Sequence, residues 1–251
     1  MKYLTILISL YMILGCSNKQ RLVLSAVDQY NYAKELYDKG KYFKAQTEFE
    51  NLIYTYPGNT VIDTAQFYLG MCHYNQEDYG LAAGELKRLL SAYPQSGFAD
   101  DSQYRIGMCH YEMSPKYSLD QSETYLAIDE FNSFVSSYPA SEFIGEAKQR
   151  VKELEDKLAQ KSFMAGQLYL RMNDCQSALT YFSFVRDNYP ATDWAIQAFY
   201  YSGEAQMGLG QNVEAKQTFE SFLIGFSSHK LAEKAKSKLN KLTELASNSE
   251  S

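Results

Sequence analysis

Histidine, cysteine and proline are scarce in this chain of 251 residues, and basic charge falls short of acidic. With 24 Lys and Arg against 30 Asp and Glu, the formal net charge is −6. General nucleic-acid binding rests on neutralising phosphates with a basic surface, so that class is excluded. The only histidines are His73, His110 and His229, too few and too scattered for a Ser/His or Cys/His catalytic pair. No glycine-rich phosphate loop, His-Glu-x-x-His or Gly-x-Ser-x-Gly occurs. The acidic pairs Glu48/Glu50, Asp100/Asp101 and Glu153/Glu155 have helical or cap settings that call for no catalytic role. The chain therefore reads as non-enzymatic and without cofactor or metal. No stretch rich in Gly, Ser and Pro interrupts it, so nothing marks a linker between domains.

What the chain does have is a repeat. Alanines at 45, 82, 127, 178 and 215 each precede a Phe or Leu by four residues: Phe49, Leu86, Phe131, Phe182 and Phe219. Seven on stand Leu52, Leu89, Phe134, Val185 and Phe222, and eleven on Tyr56, Tyr93, Tyr138, Tyr189 and Phe226. Pro57, Pro94, Pro139 and Pro190 close the first four units, and Ser227 takes that place in the fifth. Twelve residues before the alanine, after allowing an eight-residue insertion in unit three, lies a small residue: Ala33, Gly70, Gly107, Gly166 or Gly203. An aromatic precedes each by three: Tyr30, Phe67, Tyr104, Phe163 and Tyr200. Offsets of 3, 4 and 7 put side chains on one face of a helix. Small residues on paired helices permit close approach, and proline ends the second helix of each pair.

This pattern resembles the tetratricopeptide repeat, which implies an all-α superhelical solenoid of five helix-pair repeats with a C-terminal capping helix. The boundaries read 26–58, 62–95, 99–139, 142–190 and 193–227, with a cap at 229–246 and a flexible tail at 247–251. The aromatic–proline spacings of 37, 45 and 51 depart from the 34-residue standard, and the departures have places. Unit three carries its extra residues in Met113–Thr124, expected to be an exposed loop. In unit four, Glu142–Met172 has apolar residues at 144, 147, 151, 154 and 158 and no proline, which predicts one extended helix. Lys230–Leu245 is expected to cap the last repeat, its lysines forming a solvated face.

Residues 1–15 form a lipoprotein signal peptide in this reading. Lys2 precedes an apolar run from Tyr3 to Leu14 that is too short to remain as a bilayer span. The run ends Ile13-Leu14-Gly15-Cys16, which resembles the bacterial lipobox; that implies cleavage before Cys16 and its lipidation. Residues 16–25 are then a lipidated tether, and Ser17, in place of aspartate, implies delivery to the outer membrane, facing the periplasm. Cys72 and Cys109 recur inside identical Gly-Met-Cys-His-Tyr segments. Adjacent Cys and His on a helix diverge by about 100°, which disfavours a shared metal. Buried free thiols are the default for Cys72, Cys109 and Cys175, with a Cys72–Cys109 disulfide as the alternative, requiring Cα atoms within about 7 Å.

First helices line the inner side of such an array. The repeat register gives a candidate peptide groove at Tyr30, Lys34 and Tyr37; Phe67, Met71 and Tyr74; and Tyr104, Met108 and Tyr111. An aromatic and methionine surface of this kind suits an extended apolar peptide. The alternative is that these rings pack inward and leave no open cleft.

Lipobox, short tether, five repeats, the inserted loop of unit three and the long helix of unit four together resemble the BamD family of the outer-membrane β-barrel assembly machinery. Tyr37–Phe49 and Asp187–Thr192 look like that family's repeat consensus, and the likeness spans about residues 16–246. It implies a scaffold that docks the POTRA domains of the barrel-forming subunit through its C-terminal repeats. It also implies that the N-terminal repeats receive unfolded outer-membrane proteins. The competing reading is another periplasmic repeat scaffold, either an envelope or division coordinator or a pilotin-like lipoprotein.

Overall fold

The computed structural model describes residues 24–249; the leader, Cys16 and residues 17–23 lie outside the described residues. Among the described residues every regular element is an α-helix, and there are eleven. Unit one comprises α1 (Ala26–Asp38) and α2 (Tyr42–Thr55), and unit two α3 (Ile62–Asn75) and α4 (Tyr79–Ala92). Unit three holds α5 (Ala99–Met113) and α6 (Ser122–Ser137), and unit four α7 (Ile144–Arg171) and α8 (Cys175–Asn188). Unit five holds α9 (Asp193–Gly208) and α10 (Asn212–Gly225), and α11 (Ala232–Ser249) closes the array. Each helix packs against the next in sequence, the arrangement of a tetratricopeptide-type solenoid.

The marker residues explain why the helices pair. Ala45, Ala82, Ala127, Ala178 and Ala215 are all fully buried, as are the residues four and seven beyond each. Opposite them, the glycine of the first helix lies directly beneath the bulky side chain. A β-carbon on Gly107 would fall 2.7 Å from Phe131, and one on Gly203 2.7 Å from Phe219.

The connections recur as well. Within a pair the chain turns through a left-handed residue five before the marker alanine: Gly40, Glu77, Asn173 and Gly210, with φ between 64° and 75°. Glycine adopts this conformation at no steric cost and asparagine at little, but Glu77 is strained there. Between pairs, the aromatic residue leaves the helix while its N–H still donates four residues back, as in Tyr93 to Leu89 at 2.7 Å and Phe226 to Phe222 at 2.8 Å. Two reverse turns follow, seen in Asn59 N–H to Tyr56 and Ile62 N–H to Asn59, and identically in His229 to Phe226 and Ala232 to His229. The fifth copy makes this turn without proline, so proline reinforces the exit but does not create it.

The insertion in unit three occupies residues 114–121 and is tied down. Gln121 is buried, and its amide donates to the carbonyls of Lys116 and Leu119 at 3.0 Å. From α7, Lys157 donates to the Ser114 hydroxyl at 2.8 Å and Lys161 to the Leu119 carbonyl at 2.5 Å. The extended helix buries Ala147, Leu154 and Leu158, the stripe read from the sequence. The closing helix differs from expectation by running through Ser249, because no proline or glycine interrupts it. It buries Ala232, Ala235 and Leu242, with Leu231 buried just ahead of it. Its lysines are more than a solvated fringe: Lys230 pairs with Asp193 at 3.2 Å and Lys238 with Glu204 at 2.5 Å, tying the cap to unit five.

The front of the array is finished differently. Where later units present Ile62, Ala65, Leu69 and Cys72, or Ala99, Ser102, Ile106 and Cys109, to the unit before, all of them buried, unit one has Ser25, Asp28, Tyr32 and Glu35, all exposed.

Candidate functional site

The nine residues read as a groove separate into two groups. Phe67, Met71, Tyr104 and Met108 are buried, at 8%, 8%, 2% and 6% exposure, and present no surface to a peptide. For these four the alternative of inward packing holds, and the expected aromatic and methionine surface is corrected. The cause is the residue that precedes the first helix of the next unit. Phe98 stacks on Phe67 with ring centroids 4.6 Å apart, and Phe143 stacks on Tyr104 at 4.6 Å and 7°. Trp194, the second residue of α9, leans on Phe163 in a tilted contact at 5.3 Å. Met71 and Met108 fill the space between successive pairs, Met71 beside Leu86 and Ile106, and Met108 beside Phe131 and Leu154. Sealing these rings stabilises the stack by roughly 1.5–3 kcal/mol per large side chain.

Tyr37, Tyr74 and Tyr111 remain half-buried, one per unit at intervals of 37, and each has a cation beside it. Lys34 sits 5.8 Å from the Tyr37 ring and 4.9 Å from that of Tyr68. The Arg105 guanidinium lies 5.8 Å from the Tyr74 ring and 5.6 Å from that of Tyr104. Arg150 lies 4.8 Å over Tyr111. Cation–ring contacts of this kind contribute about 0.5–1 kcal/mol when exposed and more when desolvated. Tyr30, also half-buried, leans on Phe49 and Tyr68 at 6.2 and 6.4 Å, and burial pushes its hydroxyl up to about 12.

The three rungs differ in charge. Arg150 donates to Glu146 at 3.2 Å, to Glu153 at 3.1 Å and to the Tyr111 hydroxyl at 3.2 Å, and that hydroxyl donates to Glu153 at 2.8 Å. Burial pushes the Glu153 carboxyl up, but the hydrogen bonds from Tyr111, Gln149 and Arg150 outweigh it and leave the group below its ordinary value. Lys34 pairs with Asp38 at 2.5 Å. Arg105 lies against two ring faces, and its Nε is buried without a hydrogen-bond partner. Sequence reading missed Arg105, Arg150 and Tyr68. Arg150 lies outside the repeat register, inside the extra residues of unit four, so spacing could not have found it.

Elsewhere the candidate chemistry is quiet. Cys72, Cys109 and Cys175 are buried free thiols, so the disulfide alternative is not realised. Burial, with Glu50 adding to it, pushes the Cys72 thiol up to about 12, the reverse of an activated nucleophile. His73 and His110 are buried, and His110 Nδ1 meets Glu123 at 2.7 Å. Among the described residues no group of three or more His, Cys, Asp or Glu is placed to hold a metal ion.

Residues 24–221, most of the chain, match the family described as outer membrane lipoprotein, YfiO. The chain belongs to that family. It is 28% identical over 220 residues to the outer membrane protein assembly factor BamD of Rickettsia prowazekii (strain Madrid E), covering 86% of this chain and 88% of the relative. Among solved structures it is similar to the TPR2AB domain of yeast Sti1 in its pHSP90 complex, at 12% identity and a TM-score of 0.43, over 87% of this chain and 98% of that one. It is also similar to a tetratricopeptide repeat protein from Parabacteroides merdae ATCC 43184, at 14% identity and a TM-score of 0.39, covering 89% and 92%. In this chain, of the nine residues read as a groove, Tyr30, Lys34, Tyr37, Tyr74 and Tyr111 are those that packing leaves partly accessible.

Proposed function

We propose that this lipoprotein is a non-enzymatic scaffold of outer-membrane protein assembly, anchored through a lipidated Cys16 and facing the periplasm. The observation that carries the reading is the family match over most of the chain, joined by a relative named as an outer membrane protein assembly factor. Residues 1–15 act as its signal peptide and 16–25 as its tether. The C-terminal repeats dock the POTRA domains of the barrel-forming subunit. The N-terminal repeats receive unfolded outer-membrane proteins.

The accessible rungs suit that second role in a narrower way than an apolar groove would. Tyr37, Tyr74 and Tyr111 offer ring surface to an aromatic side chain. Arg105, set between the Tyr74 and Tyr104 rings, offers its guanidinium to the acid at the end of an extended chain. Tyr30 and Lys34 extend the same face along α1 of unit one. No bond is made or broken, and binding free energy and tethering at the membrane are the only drivers.

Affinity purification of the tagged protein from solubilised envelopes tests the reading. Recovery of the barrel-forming subunit supports it. Recovery of a secretin or a division protein in its place assigns the chain to a different periplasmic scaffold. In parallel, Cys16→Ala should leave a folded protein in the soluble periplasmic fraction, and retention in the outer membrane would refute the anchor.

A further inference from the structure

The outer face of α2 carries two aromatic side chains that the repeat does not require. Phe43 is 72% exposed and Tyr54 is 89% exposed. They stand eleven residues apart, which is three turns of helix plus about 20°, so both project from one line roughly 16 Å long. In unit two the same positions hold Gly80 and Ser91, in unit three Tyr125 and Ser136, and in unit four Gln176 and Asp187, so unit one alone has an aromatic at both. Packing of the array therefore does not explain the rings. At the far end of the chain unit five has aliphatic Val213 and Ile224 there, with no aromatic.

Where the chain enters unit one says what covers this face. Leu24, 41% exposed, is fixed to the edge of the unit by its carbonyl, which accepts from the Tyr56 hydroxyl at the end of α2. Val27, 51% exposed, follows at the start of α1. Between Cys16 and Leu24 the chain makes eight residue steps, which reach at most roughly 28 Å fully extended. Unit one thus cannot leave the neighbourhood of the bilayer once Cys16 is lipidated. Lys41 and Lys44, both exposed, flank Phe43.

We propose that the outer face of α2 rests on the lipid surface itself, with Phe43 and Tyr54 at headgroup depth and Lys41 and Lys44 against the phosphates. Aromatic rings with one wet edge favour this depth, and the acyl anchor supplies the local concentration that two side chains alone would not. Contact there orients the array relative to the membrane, where a tether alone would leave it free to swing. The inference rests on the lipid-anchor reading of Cys16.

The test uses the full mature lipoprotein in vesicles of phosphatidylethanolamine and phosphatidylglycerol whose acyl chains are brominated or plain. Phe43→Trp and Tyr54→Trp place reporters on the face, Ser91→Trp places one at the equivalent site of unit two, and Trp194, the sole native tryptophan, is present throughout as a reference. Brominated chains should dim the reporters at 43 and 54 about twofold, with the emission of Trp194 and of the Ser91→Trp reporter unchanged. Equal quenching at all sites, or none, in protein that floats with the vesicles overturns the inference while the anchor stands. Protein that fails to float at all overturns the anchor reading, and this inference with it.

Discussion

Gly166 lies beneath the ring of Phe182 so closely that a β-carbon there would stand 2.7 Å from the ring edge. The same relation holds between Gly70 and Leu86, Gly107 and Phe131, and Gly203 and Phe219. Gly166→Ala must push the ring or separate α7 from α8, at a cost of about 1–3 kcal/mol. In a chain of this size that lowers the melting temperature by roughly 3–10 °C in a circular dichroism melt. Gly84→Ala is the opposite case: this helical glycine has nothing within 4 Å of its missing β-carbon. It should stabilise by about 0.5–1 kcal/mol, because only backbone entropy changes. Equal signs for the two substitutions would contradict the packing assigned to the repeat.

Glu77 holds a left-handed backbone at φ 65° where other units use Gly40, Gly210 and Asn173. Its side chain is exposed and forms no part of the core. Glu77→Gly should therefore release strain and raise stability by about 1 kcal/mol. A denaturant titration with an unchanged slope and a higher midpoint is the expected result, and a lower midpoint would refute it.

Alkaline pH should destabilise the array before it affects its charge pairs. Burial pushes the thiols of Cys72 and Cys109 up to about 12, and the hydroxyls of Tyr30 and Tyr189 to about 12. These groups stay neutral in the folded chain, whereas the unfolded chain releases their protons from about pH 8.5 for thiols and about 10 for tyrosines. Their contribution is thus complete below those values and is lost as pH rises toward 12. Melting temperature should be level from neutral pH to about 8 and then fall steadily. A level curve up to pH 11 would show that these groups are not sealed.

For the accessible face, Tyr74→Ser and Arg105→Met address the ring and the charge separately. A fluorescent peptide ending in phenylalanine should bind several-fold more weakly to either, corresponding to about 1 kcal/mol each. Amidating the peptide's carboxyl end should cost affinity in the parent protein but not in Arg105→Met. If the amide binds both equally, Arg105 does not read the terminal charge.

Much of this architecture is legible in one chain because the repeat prints the same side chains in the same places. The marker alanines, the glycines opposite and the aromatic exits are set by contacts within a unit, and such contacts keep fixed spacing. The sequence leaves open whether the groove rings face out or in, because their fate depends on a neighbour. Whether Phe67 or Tyr104 faces an open cleft is decided by Phe98 and Phe143, which arrive with the following unit. Bulky residues at or just before the start of the helix that follows each pair stand at 61, 98, 143, 194 and 231, but only the fold shows what they cover. Arg150 was beyond reach for a different reason, since it comes from a helix extension that breaks the period.

The exposed polar residues at the front of unit one, Ser25, Asp28 and Glu35, have a consequence for how molecules meet. A solenoid ending in the apolar pattern of its inner units would offer each copy a ready template for another, and the copies would polymerise head to tail into filaments. Polar groups at the leading end and a half-unit helix at the trailing end break that template. The two ends of the array therefore do not repeat the contact that joins its inner units.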